Sequence, residues 1–156
     1  MWFSHSMETT APPGRVWEVW TDVERWPTWD VALRDASLDA DGGTFEEGAH
    51  GRVTLGLGRA VPVDPSPSFV VTELDPVRSY AYDLQFPLAR LVVRRSLHSH
   101  DGGTSFTHEV WCEGPLGGLL SRTVGRRYRR TLPDAMDHVR ERAEALPATG
   151  SSTDTA

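Results

Sequence analysis

Residues 91–113 read LVVRRSLHSHDGGTSFTHEVWCE, and residues 114–146 continue GPLGGLLSRTVGRRYRRTLPDAMDHVRERAEAL. The first stretch alternates with period two on both sides of Asp101-Gly-Gly-Thr104, the pattern of two half-buried strands joined by a tight turn. A two-residue turn at Gly102-Gly103 pairs Asp101 with Thr104, Leu97 with His108, Arg95 with Val110 and Val93 with Cys112. In that register Leu91, Val93 and Leu97 share a face with Phe106, Val110 and Cys112, so the apolar sets agree across the hairpin. The second stretch changes period. Leu120, Val124, Tyr128, Leu132, Ala135, Val139, Ala143 and Leu146 recur at steps of three and four, the stripe of one long amphipathic helix. Pro133 lies inside it, where a missing donor and a ring clash predict a kink.

Upstream, Tyr80, Tyr82, Leu84 and Phe86 alternate with Ala81, Asp83 and Gln85, and Pro87 closes that strand. Phe69 to Leu74 reads as a strand ending at the Asp75-Pro76 turn. Gly51 to Leu57 alternates at Val53, Leu55 and Leu57, with a tight turn at Gly58-Arg59 and a strand from Ala60 to Val63, before Pro65 and Pro67 break the chain. Ala32 to Leu38 is a further strand, followed by a Gly-rich acidic loop to Gly48 in which Gly42-Gly43 reads as a turn. Trp2 to Glu8 is a strand with Phe3 and Met7 on one side. The prolines of Thr10-Ala-Pro-Pro13 suit a helix entry. Arg15 to Asp22 is then a short helix with Val16, Val19 and Trp20 on one face, and Glu24 to Asp30 a second short helix or a turn.

This order predicts the α+β class: a curved antiparallel sheet of six or seven strands around a long C-terminal helix, with two short helices after the first strand. Residues 1–146 form one domain, and 147–156 a disordered polar tail.

Composition narrows the function. All 16 basic residues are Arg, against 22 acids, for a net charge of −6, so no catalytic or Schiff-base lysine is available. The charge divides along the chain. Residues 114–146 carry seven Arg and four acids, while residues 1–113 carry nine Arg and seventeen acids. No stretch of more than nine residues is free of charge, and the N-terminus lacks a basic start before an apolar core, so neither a membrane span nor a secretory signal is expected. Cys112 is the only cysteine, which excludes an internal disulfide and a Cys-based zinc site. A cytoplasmic protein, monomer or homodimer, with no nucleic-acid partner, is expected.

The order of elements resembles the helix-grip fold of the START-like, or SRPBCC, superfamily, and more narrowly its polyketide cyclase/dehydrase-like branch. The residues carrying the resemblance are Ala11-Pro12-Pro13 leading to Val16-Trp17, Asp22, Arg25-Trp26-Pro27, Trp29-Asp30, Gly48 and Gly51. Gly103-Thr104, Thr107-His108, Gly114-Pro115-Leu116 and the Arg-rich start of the last helix complete them, over about residues 1–146. The resemblance implies a deep, mostly apolar cavity between sheet and helix. The superfamily holds aromatase/cyclases, lipid carriers, hormone receptors and chaperone activators, so the fold alone names no ligand.

Parity singles out the polar residues of that interior. His108 falls between Phe106 and Val110 on the apolar face and needs a hydrogen-bond partner there: backbone, long helix or ligand. Arg95 falls between Val93 and Leu97, where it either reaches the sheet edge or meets a ligand carboxylate, phenolate or enolate. Tyr80 and Tyr82 bring ring surface and hydroxyls to the same sheet. Among Trp17, Trp20, Trp26 and Trp29, one or two either pack the short helices or cap the pocket mouth. The expected lining is Trp29, Tyr80, Tyr82, Phe86, Arg95, Leu97, Phe106, His108, Val110, Val124, Tyr128 and Leu132. His98 and His100 share the opposite, solvated face, and no metal site is expected.

Three functions follow. The chain binds a small hydrophobic molecule, aromatic, polyketide-like or lipid-like, oriented by His108, Arg95 and the tyrosines. Alternatively it is a polyketide aromatase/cyclase or dehydratase needing no metal or organic cofactor, with His108 moving protons and Arg95 steadying an enolate. In the third reading, Arg122, Arg126, Arg127, Arg129 and Arg130 form an interaction surface.

Overall fold

The alternating runs become strands, and the stripe at steps of three and four becomes helix. The computed structural model describes residues 2–39, 44–56 and 64–145. In chain order the elements are β1 Trp2–Thr9, α1 Pro13–Thr21, a 3-10 helix Val23–Thr28, β2 Leu33–Leu38, β3 His50–Leu55, β4 Ser68–Asp75, β5 Ser79–Phe86, β6 Ala89–His100 and β7 Gly103–Glu113. A helical run then follows, made of α2 Gly117–Leu120, a π-helical stretch Ser121–Gly125 and α3 Arg126–Ala145. The turns expected at Gly42-Gly43 and Gly58-Arg59, Leu57, the strand Ala60–Val63, Leu146 and the tail lie outside the described residues.

The strands form one seven-stranded sheet in the order β1-β7-β6-β5-β4-β3-β2, so the first strand closes against the last. Every neighbouring pair is antiparallel. Register shifts at Leu33/Asp35 and Val71/Glu73 mark bulges, which bend strands and add twist. The sheet curls into a half-barrel, and α3 lies along it against α1, β1 and β7. Proline at the start of α1 is tolerated because that amide has no helical partner, and Val16, Val19 and Trp20 turn inward from it. The far end of α3 is tied down where the Thr9 hydroxyl donates to Glu144 Oε2 at 2.6 Å, while Thr104 Oγ1 donates to the Ala11 carbonyl at 2.7 Å. On the outer face Trp2 stacks on Trp111, ring centroids 4.7 Å apart and planes 15° from parallel.

Two details differ from the expectation. The β6–β7 turn is centred on Asp101-Gly102, so His100 pairs with Gly103, Leu97 with Phe106, Arg95 with His108, Val93 with Val110 and Leu91 with Cys112. The reason is Gly103. A Cβ there would lie 2.0 Å from the Thr9 carbonyl oxygen, so Gly103 is a strand residue held under β1 rather than half of the turn. Gly102, at φ 93°, takes the left-handed turn position instead. The slip of two residues keeps parity, so each inward residue stays inward. It also moves His108 from beside Leu97 to beside Arg95.

The second difference concerns the long helix. Its assignment runs through Pro133, which lies on its exposed side, and it also contains a π-helical stretch, Ser121–Gly125, that the periodicity does not announce. Glycines precede and end that stretch, and the hydroxyls of Ser121 and Thr123 donate to the carbonyls of Gly117 and Leu119. Such side-chain bonds compete with the helical ladder and open it locally. Among the described residues no helix is long and apolar enough to cross a membrane.

Candidate functional site

Alternation along β6 sets Arg95 in the middle of the inner face, where it is 1% exposed. A cation there must be paired. Its Nη1 donates to the Tyr80 hydroxyl oxygen at 2.7 Å, and its Nη2 donates to the Tyr82 hydroxyl oxygen at 3.0 Å and Asp30 Oδ2 at 3.4 Å. Of the two alternatives the sequence leaves open, reach to the sheet edge does not occur, because Arg95 is buried and both its Nη groups bond inside the protein. Tyr80 and Tyr82 come from β5, directly opposite Arg95 and Val93. Asp30 comes from the loop after the 3-10 helix, and its Oδ1 accepts the Ala32 amide at 3.2 Å.

Aromatic faces complete the surroundings of the cation. The guanidinium carbon lies 4.8 Å from the Trp29 ring centre, 5.2 Å from Tyr82, 5.3 Å from Trp26 and 5.7 Å from Tyr80. Each is within cation–π range. The Trp20 carbonyl accepts bonds from both the Tyr80 hydroxyl and Trp26 Nε1, each 2.8 Å. That one carbonyl locks the two short helices to the sheet.

Burial works against the charge on Arg95, yet Tyr80, Tyr82 and Asp30 outweigh it and move its pKa up. Arg95 is therefore a fixed cation. Burial pushes the Tyr80 hydroxyl up to about 12, and Tyr82 higher still, so both are neutral donors at working pH. Burial also pushes the Asp30 carboxyl up, while Arg95 and the Ala32 amide pull it down.

His108 faces Arg95 across β6–β7 and His5 across β1–β7. Its ring sits 5.5 Å from Trp20, 6.1 Å from Trp29 and 6.1 Å from Phe106. Burial, then the Arg95 charge, then His5 hold its pKa well below 6.5, so it is neutral. Its Nε2 is buried without a hydrogen-bond partner. The same is true of Arg95 Nε, Trp20 Nε1, Trp29 Nε1 and the Tyr128 hydroxyl. Native interiors leave few such atoms, and these five belong to the inner face of β6 and β7 and to the helical segments packed near it.

Of the expected lining, all but Phe86 are buried. Phe86 is half-buried at the end of β5. Trp29, Tyr80, Tyr82, Arg95 and His108 come together in the polar cluster. Leu97 and Phe106 pair across the hairpin, and Val110 pairs with Val93. Val124, Tyr128 and Leu132 line the covering helix. Trp29 also lines a cleft of about 510 Å³ with Glu18, Asp22, Arg25, Thr28 and Arg142, so one indole separates that cleft from the Arg95 cluster.

Asp30 was not expected as a site residue: it lies in the loop after the 3-10 helix, where periodicity carries no direction, and the available signal was the buried Arg itself, which demands an anion. His98 and His100 are exposed, and His100 Nε2 approaches Glu8 at 3.7 Å. Among the described residues no group of three His, Cys, Asp or Glu is placed to hold a metal ion.

A family model described as polyketide cyclase/dehydrase and lipid transport matches residues 3–144. The chain belongs to this family. Solved structures share its fold at low identity. A START superfamily protein from Mycobacterium smegmatis aligns with a TM-score of 0.66 at 15% identity, over 93% of this chain and 98% of that one. TTHA0849 from Thermus thermophilus gives 0.68 at 17%, over 94% and 99%. DynU16, a protein of the dynemicin biosynthetic locus, gives 0.63 at 22%, with 92% of this chain covering 47% of that one. No curated protein sequence matches the chain. At these identities the likeness speaks for the helix-grip fold alone. A polyketide cyclase/dehydrase and lipid transport member with this interior is consistent with binding of a hydrophobic ligand.

Proposed function

We propose that the chain binds a small apolar molecule, aromatic, polyketide-like or lipid-like, between the inner face of the sheet and α3. Its oxygens face the Arg95 cluster. The observation that carries this reading is the set of buried polar atoms without partners. Arg95 Nε, Trp20 Nε1 and Trp29 Nε1 only donate, while His108 Nε2 and the Tyr128 hydroxyl take either role. An apolar interior rich in donors suits a carbonyl, phenol or enolate oxygen on an apolar scaffold.

Tyr128→Phe tests this, because it removes one interior hydroxyl and keeps the ring, with the variant's own unfolding midpoint without ligand as the baseline. Titrating aromatic ketones, quinones and fatty acids against the unfolding midpoint should find at least one stabilising ligand. Tyr128→Phe should then bind it about fivefold more weakly. No midpoint shift with any member of the panel defeats the proposal.

His108 favours a second reading, a cyclase or dehydratase needing no cofactor. A neutral imidazole facing a fixed cation suits proton removal next to a carbonyl, with Arg95 stabilising the enolate. His108→Gln should then abolish turnover of a polyketide-like substrate while sparing its binding. Unchanged turnover takes His108 out of the chemistry.

A further inference from the structure

One end of the molecule is both apolar and basic. There β5 turns into β6, and β7 leads into the helical run. Leu88 forms the β5–β6 turn with φ 58° and is 66% exposed. A non-glycine side chain in the left-handed region is strained, and an exposed leucine recovers none of that cost by burial. The Leu88 carbonyl accepts the Leu116 amide at 2.9 Å, which holds the turn against the segment before α2. Leu116 is 41% and Leu119 60% exposed, so three leucines protrude from this end.

Arginines lie immediately beyond them. Residues 114–133 carry Arg122, Arg126, Arg127, Arg129 and Arg130 and no acid, in a chain of net charge −6. Arg122, Arg126, Arg129 and Arg130 are exposed. Among the described residues none of the five makes an ion pair. Glu113, the acid just before the segment, is already paired with Arg90. A helix face neutralised by the sheet would show those pairs. A nucleic-acid surface would account for the arginines and leave the leucines without a role.

We infer that this end docks on an anionic lipid bilayer. Leu88, Leu116 and Leu119 enter the apolar boundary, and the arginines of the adjoining helix meet lipid phosphates. Apolar area and surface charge act together in such docking, the leucines by leaving water and the arginines by meeting the negative surface potential. The inference does not depend on what the inner site holds.

Co-sedimentation with vesicles tests it, using phosphatidylcholine alone and phosphatidylcholine mixed with phosphatidylglycerol. The protein should pellet with the mixed vesicles only, and less so as salt rises. Leu88→Asn relieves the backbone, because Asn tolerates that conformation, so its fold is secure. It should nevertheless weaken vesicle binding about tenfold. Arg126→Gln with Arg129→Gln should weaken it about thirtyfold. Val77 has the same backbone, φ 59°, at the opposite end of β5, and Val77→Asn should leave binding unchanged. No pelleting with the mixed vesicles, equal pelleting with both kinds, or equal loss in Leu88→Asn and Val77→Asn overturns the inference. So does tight binding of RNA that Leu88→Asn leaves intact while vesicle binding is absent.

Discussion

Arg95 keeps its charge where solvent does not reach, and its partners are set by that need. Asp30 supplies the anion, two tyrosines supply hydrogen-bond acceptors, and four rings supply polarisable faces. Replacing it by Met leaves Asp30 buried without its cation, which should destabilise the fold by about 3–5 kcal/mol. Adding Asp30→Asn should recover part of that loss, and urea unfolding of both variants measures it. His108 predicts a pH effect. Its folded pKa is held well below 6.5, so the unfolded chain takes up the proton first. Stability from this group is therefore complete at pH 7.5 and is lost as pH falls below about 6.5, by up to about 1.4 kcal/mol per unit, until the folded pKa is reached. His108→Gln should flatten that part of the stability profile between pH 7.5 and 5. Parity along the strands was enough to place both residues inward. It was not enough to find Asp30, which lies 65 positions from Arg95 in a loop where alternation has no meaning.

The β6–β7 hairpin shows what a pattern of alternating side chains contains. It defines a face, and any even slip preserves that face. The choice between registers depended on Gly103 fitting beneath Thr9, a contact with β1 that lies outside the hairpin. The functional result is the His108–Arg95 pairing, which local sequence could not supply. The long helix carries the opposite lesson. Its stripe was legible over the whole run, but the irregular stretch falls at Ser121–Gly125 because hydroxyls and glycines compete with the ladder there. Pro133 sits on the exposed side of a helix that continues through it. Pro133→Ala should restore one backbone donor and raise the urea midpoint, by about 1–3 kcal/mol in stability. An unchanged midpoint would mean that the surrounding turn has already absorbed the proline.

At the scale of the whole molecule, the net charge of −6 conceals a division of labour. The strands carry the acids, one segment of the final helical run carries five arginines without an acid, and exposed leucines adjoin it. That division was legible in the sequence; its alignment with a leucine-tipped end required the fold. The order of elements was sufficient for the architecture, because a single amphipathic helix has only a curled antiparallel sheet on which to bury its stripe. Closure of that sheet rests on β1 meeting β7, and its outer face is marked by the Trp2–Trp111 stack. Two indoles at 4.7 Å share their electronic transitions, so the pair should add an exciton contribution to the circular dichroism that Trp2→Phe removes, leaving that of Trp17 and Trp20, 6.4 Å apart. The Trp2–Trp111 contribution reports whether the first strand is seated, separately from the emission of the indoles buried beside Arg95, and so gives the molecule an optical gauge of its own closure.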